Sequence, residues 1–396
     1  MIAVQSSAFI IGPIAKILGY IINVIYNFLD AVGIGNIVLS IILFTIVVQI
    51  LMIPIKYKAQ KFTRVSSMIQ PEINEIRKKY AGKRDQQSMS MMQAETSEIY
   101  KKYGASPAGG CLPMLIQMPI LFALYAVIQS IPSYIGKIYD LFAQVADKVN
   151  TPSAIEAMSN IKYVANLQDI ASNKATLVDY LYTYNMGNWT DLVNKVSDIP
   201  RQAVDSILSI TKVFGDVLVS DTPWQLIKSH NYIHWVWLIP ILVYASAYFS
   251  MKTTQSHNKN DMEDNPAARQ MKTMTTIMPI MSVVFSIALP VGLGIYWIIN
   301  SLIMGIQQVA MNRYIDSIGL EKIVEKNIEK NKDKIEKQKE KKGVSSSTVK
   351  KAAHLNTKSI KNESADVVSN ETPSVESTDN KSISSLARLT DKYKDK

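Results

Sequence analysis

The chain has 396 residues, 47% hydrophobic and 19% charged, with a formal net charge of +10. Apolar and charged residues fall in separate long runs, which excludes an ordinary soluble domain and indicates an all-α polytopic membrane protein. The one cysteine, Cys111, excludes an intrachain disulfide and a Cys-based metal cage, and reads as a small buried apolar residue.

The N-terminal segment, 1–35, contains the apolar run 8–30. Lys16, Tyr20, Asn23, Asn27 and Asp30 form one polar stripe along it. That pattern favours an amphipathic helix lying in the outer interface over a sixth span, and the missing positive n-region disfavours a cleaved signal. Five segments are long and apolar enough to cross a bilayer: 36–55, 109–131, 232–250, 272–289 and 291–310. The last two are separated only by "ALPVGLG", whose Pro290, Gly292 and Gly294 predict a tight helical hairpin.

The loops set the orientation. Segment 56–108 is rich in Lys and Arg, 132–231 has more acids than bases and carries Trp189 and Trp224, and the tail 311–396 is Lys-rich again. The excess of basic residues places 56–108, 251–271 and the tail in the cytoplasm, with 132–231 and the N-terminus outside. Residues 57–104 predict a cytoplasmic helical hairpin turning near Gly82 and ending at Gly104. Its basic residues Arg77, Lys78, Lys79, Lys83 and Arg84, with Met89 and Met92, suggest a docking element, against the plainer reading of a solvated hairpin packed on itself. The tail reads as a solvated helix or disordered arm, suited to ribosomal RNA or to acidic lipid.

There is no G-x-x-x-x-G-K-[ST] loop and no nucleophile–base arrangement, so no ATP motor and no enzyme activity are expected. His230 and His234 lie four apart in "HNYIH", but the adjacent Trp235 and Trp237 favour an interfacial belt over a metal site. No cofactor is expected. Within the predicted spans, Thr45 and Gln49 share a face of the first. Gln117 lies in the second. Tyr296, Asn300 and Gln307 form a stripe on the fifth, and Trp237, Tyr244 and Tyr248 an aromatic stripe on the third. From the residues alone, interhelical hydrogen bonding and a hydrated cavity both account for the amides.

The stretches "LSIILFTIVVQILMIPI" at 39–55, "GGCLPMLIQMPILFALY" at 109–125 and "TIMPIMSVVFSIALPVGLGIYWIINSLIMGIQQ" at 276–308 resemble the YidC-type membrane protein insertase family. The resemblance covers residues 13–131 and 232–313. It implies a hydrophilic groove open to the cytoplasm and closed outside, which takes up the polar tail of a nascent membrane protein without ATP. Gln49, Thr45, Gln117 and Asn300 would line the groove. Tyr296, Trp297, Tyr244 and Tyr248 would lie on the substrate path. Implied partners are nascent membrane proteins, the lipid bilayer, the ribosome, the general secretion channel and the signal recognition machinery, but not DNA. The implied location is the bacterial cell membrane.

Most members of the family carry arginine where this chain has Gln49, so the groove is expected to lose its fixed positive charge. No other cysteine is present to act as a lipoprotein anchor. The competing readings are a small-solute transporter or channel, and a scaffold subunit of a translocation complex. Neither internal repeats nor a charged residue within the predicted spans supports a transporter.

Overall fold

The computed structural model describes residues 9, 11–83, 85–105, 112–229, 235–255, 277 and 279–331. The chain divides into two units, Met1–Ile335 and Glu336–Lys396, and the second lies outside the described residues. Cys111, Arg84, the histidines of "HNYIH", most of the 251–271 loop and most of the Lys-rich tail also lie outside them.

The described chain is almost entirely helical. Helix α1 (Ile11–Ala31) buries Ala15, Leu18, Ile22, Tyr26 and Leu29, a one-sided stripe of three- and four-residue spacing. Its other face exposes Lys16, Ile17, Tyr20 and Phe28. It packs on α2 (Ile37–Leu51) and on α6 (Leu112–Gln129). Helix α2 starts at Asn36, whose side chain accepts the Leu39 N–H at 3.2 Å.

The first predicted span does not run straight to residue 55. It breaks at Met52 and continues as α3 (Ile53–Met68), with a bend of 55°. Pro54 is the cause: it has no N–H to return to the preceding turn, and its ring crowds the carbonyl four residues back. Helix α3 leads into α4 (Gln70–Lys79), which turns at Gly82 (φ 84°) into α5 (Gln86–Tyr103). Gly104, at φ 63°, ends α5 in the left-handed conformation glycine favours. Val65, Ile69, Ile73 and Tyr103 of this hairpin pack with Ile315, Ile323 and Val324 from the far end of the described chain.

Between α6 and the next long helix the chain forms a helical domain: α7 (Gly136–Val149), α8 (Pro152–Ile161), α9 (Leu167–Ser172), α10 (Lys174–Tyr182), α11 (Met186–Lys195) and α12 (Arg201–Thr211). A small antiparallel hairpin, β1 (Lys212–Phe214) and β2 (Val217–Leu218), and α13 (Pro223–Ser229) complete it. Its centre is aromatic: Phe142, Tyr182, Tyr184 and the fully buried Trp189 meet edge to face with centroids 5.7–5.9 Å apart. Trp224, by contrast, is exposed, with the Lys228 ammonium 4.9 Å from its ring centroid.

Three helices remain: α14 (Leu238–Gln255), α15 (Pro279–Ala288) and α16 (Val291–Ile318), followed by α17 over residues 320–331. Helix α16 runs eight residues past the predicted end of its span. By length and composition, Ile11–Ala31, Trp235–Thr254 and Val291–Ile318 can each cross a membrane, and the bent α2–α3 pair adds a fourth candidate. The described parts of α6 and α15 are shorter apolar helices.

Helix directions follow from the contacts. A Cβ on Gly294 would lie 2.5 Å from Ile239, and one on Gly305 2.5 Å from Phe249, so α14 and α16 run parallel at close approach. Gln117 meets Tyr296 whereas Ile128 meets Gly292, so α6 runs antiparallel to α16.

Candidate functional site: a buried polar seam

The kink at Met52 turns the polar face of α3 toward α16. Together α2 and α3 present Gln49, Lys56, Gln60 and Arg64, and α16 presents Asn300, Gln307, Asn312 and Asp316. These side chains pair rung by rung. Gln49 Nε2 donates to Asn300 Oδ1, and Lys56 Nζ donates to Gln307 Oε1 at 3.1 Å. Gln60 Nε2 donates to Asn312 Oδ1 at 2.7 Å, and Arg64 forms an ion pair with Asp316. The sequence separations are 251, 251, 252 and 252, so the two helices run parallel in fixed register over the whole seam.

The inner rungs are cross-linked. Lys56 Nζ also donates to Gln49 Oε1, and Gln307 Nε2 donates to the Gln49 backbone carbonyl at 3.0 Å. Gln49 is 1% exposed, Asn300 7% and Lys56 8%. A buried amide needs such partners, and each interhelical hydrogen bond between side chains contributes about 0.6–2 kcal/mol. Glue alone does not account for Lys56. Its buried ammonium contacts two neutral amides, and no carboxylate pairs with it in any ion pair among the described residues. Holding a cation without a counter-ion away from water is unfavourable by several kcal/mol, and such groups mark functional sites.

The expectation that replacing arginine with Gln49 removes a fixed positive charge did not include Lys56, whose ammonium lies two turns further along and donates to Gln49; the sequence placed it as a loop residue flanking the first span. The spacing of Gln49, Lys56, Gln60 and Arg64 carried the signal, since seven and four residues return to one helix face.

The other predicted residues divide. Gln117 Nε2 donates to the Tyr296 hydroxyl at 2.6 Å, and Tyr296 is 1% exposed, so this tyrosine lies inside the bundle. Thr45 is buried but returns its hydroxyl to the Ile41 carbonyl at 2.7 Å, so it makes no interhelical bond there. Trp297 is half-buried near Phe285 of α15. Tyr244 and Tyr248 are exposed on α14 and stack at 6.2 Å. On the hairpin, Lys78, Lys79, Lys83 and Met89 are exposed, while Arg77 and Met92 are half-buried. Lys79 pairs with Glu95 at 2.7 Å, and both Lys79 and Lys83 lie over the Tyr80 ring. Met91 is exposed beside Met89 and was not predicted.

The family model described as 60Kd inner membrane protein matches residues 28–318, a stretch that contains the whole seam. The chain belongs to the YidC-type membrane protein insertase family. Curated relatives named Membrane protein insertase YidC include those of Treponema denticola, 23% identical over 78% of this chain and 39% of that one, and Bifidobacterium longum, 25% identical over 74% of this chain and 72% of that one. A third, from Wolinella succinogenes, is 40% identical over 29% of this chain and 19% of its own. The chain matches 39%, 56% and 49% of the length of the Treponema denticola, Fusobacterium nucleatum and Clostridium perfringens relatives. Membership fixes the chain as a multi-pass bacterial membrane protein of this family, built from apolar helices.

Proposed function

We propose that the chain is a membrane protein insertase and chaperone whose seam between α2–α3 and α16 is the groove that receives a polar segment. The observation that carries this reading is the buried ammonium of Lys56 among Gln49, Asn300 and Gln307. These groups hydrogen-bond one another and are suited to exchange those bonds for a passing polar tail. A lone charge at mid-bilayer costs at least about 2.5–3.5 kcal/mol, and partway hydrogen bonding lowers that barrier. Burial of the substrate's apolar segment then supplies the drive, so ATP is not required. Tyr244 and Tyr248, exposed on α14, and the half-buried Trp297 are suited to guide the departing apolar helix.

In this reading the Met68 end of α3 and the α4–α5 hairpin are cytoplasmic, where Lys78, Lys79, Lys83 and the exposed methionines meet the ribosome or targeting machinery. The excess of Lys and Arg there supports the orientation. The parallel course of α2, α14 and α16 against α6 is compatible with it.

The test is reconstitution. Purified protein in vesicles is given a single-span substrate with a short polar tail, and crosslinkers are placed at position 49 or 296. Insertion with crosslinks from both positions is expected. Insertion with crosslinks from neither would rule out the seam as the groove, and solute flux without insertion would favour a transporter.

A further inference from the structure

The domain between α6 and α14 has no task in the reading above, yet it reaches the point where the bundle closes. Its segment 217–221 lies against the start of α16. The Asp221 carbonyl accepts the Val291 N–H at 2.8 Å and the Val219 carbonyl accepts the Gly292 N–H at 3.0 Å. These are first-turn donors that have no partner within their own helix. Buried as Val291 and Gly292 are, leaving either donor unpaired would cost about 1–3 kcal/mol.

The packing at this point leaves no free volume. A Cβ on Gly292 would lie 2.6 Å from Val219 Cγ1, 3.2 Å from Ile128 Cγ2 and 3.3 Å from Ile41 Cδ1. The domain, α2, α6 and α16 therefore converge on one glycine. Val217, Leu218, Val219, Ile41, Ile128 and Val291 are all at most 1% exposed. The segment is itself fixed: the Asp221 carboxylate accepts the Leu218 N–H at 2.7 Å, and the Val219 N–H returns to the Thr211 carbonyl at 2.9 Å.

We infer that segment 217–221 is a seal: an apolar plug with two backbone acceptors that stops a groove open at the Met68 end from becoming a pore through the membrane. The inference rests on the groove reading. It assigns the domain a function separate from substrate handling, namely holding the permeability barrier at the end of the bundle opposite the hairpin. Val219 supplies the apolar stopper. Its carbonyl, with that of Asp221, supplies the docking bonds, and Gly292 is the seat.

Full-length protein in vesicles carrying a pH-sensitive dye tests this, with proton leak measured after an imposed gradient and insertion of a single-span substrate measured in parallel. Val219→Ser, which keeps the carbonyl but wets the stopper, is expected to raise the leak about tenfold while leaving insertion within about twofold. Gly292→Leu is expected to leak more, because its side chain displaces Val219. Tyr163→Ser, an exposed position in the same domain, is expected to stay tight. If Val219→Ser melts at the wild-type temperature and is as tight as wild type, the seal is overturned. If wild type is tight and Val219→Ser leaks but neither inserts substrate, the seal stands and the insertase reading fails.

Discussion

At the scale of single residues, the seam makes a prediction that separates charge from hydrogen bonding. Gln49 satisfies Lys56 and Asn300 at once, so Gln49→Leu leaves two buried polar groups short of a partner. An unsatisfied buried group costs about 1–3 kcal/mol, and a lowered melting temperature with impaired insertion is expected. Gln49→Arg, the residue most of the family has here, should not be benign in this chain. It sets a guanidinium against the Lys56 ammonium, and like charges at hydrogen-bonding distance repel. Lys56→Gln should be tolerated for neutral substrate tails but should slow acidic tails by about tenfold, equivalent to ~1.4 kcal/mol. The double variant Gln49→Arg with Lys56→Gln should recover acidic-tail insertion, because it moves the single positive charge without adding one. Insertion rates for acidic and neutral tails in the four proteins decide this, and an impaired double variant would show that position, not only charge, matters. Asp221 supplies a second test at this scale. Burial pushes its carboxyl up to about 7, helped by Asp216 and opposed by the Leu218 N–H bond and by Lys162. The folded protein therefore holds a proton that the unfolded chain releases near pH 4, so stability falls as pH rises from about 4 to about 7. Asp221→Asn should flatten that slope in melting temperatures recorded between pH 5 and 8.

At the scale of elements, the close pairing of α14 with α16 depends on absent side chains. Gly305→Ile would drive a Cβ into the Phe249 ring and force the helices apart, and overpacking of this kind costs about 1–3 kcal/mol. Phe249→Ala in the same chain should recover most of the loss, as measured by thermal unfolding in detergent. If the second change gives no recovery, the contact is not what limits the approach. The elements also mark where reading the sequence succeeds. The apolar runs announce α2, α14 and α16, because a helix buried in lipid must be apolar over about 20 residues. The glycines at 82 and 104 announce the ends of the hairpin helices, because only glycine adopts those angles readily. The break at Met52 was hidden, although Pro54 stood in view, since proline also simply ends spans. Lys56 was hidden for a related reason. Just past a span, a lysine reads as a flank that reaches out to headgroups, and only its spacing from Gln49, Gln60 and Arg64 says that it shares their face. Its partner Gln307 lies 251 residues away, and a single sequence carries no record of that contact. Trp189 shows the same limit: the sequence marks it only as one residue of an acidic loop, and it is the core of a folded domain.

At the scale of the whole molecule, function requires that the two ends of the bundle differ. One end is met by a basic hairpin and the other by a helical domain that caps α16. The bent α2–α3 pair and α16 run parallel, so their Lys56–Asp316 half faces the hairpin. In the proposed function, a groove polar only in that half admits a tail from that side and no further. This asymmetry has meaning only if the hairpin side is the cytoplasm, which the positive-inside bias predicts and single-cysteine labelling can check. In a Cys111→Ser background, a cysteine replacing Tyr163, 81% exposed in the capping domain, should react with a membrane-impermeant thiol reagent added to intact cells. A cysteine replacing Lys78, exposed on α4, should react only after the membrane is opened. A cysteine replacing Gln60, one rung below Lys56, should react from the inside alone and should be protected by a stalled substrate carrying a polar tail. Labelling of position 78 from outside would invert the molecule and with it the direction of insertion. Labelling of position 60 from neither side, with or without substrate, would reduce the seam to helix packing and leave the buried ammonium without a purpose.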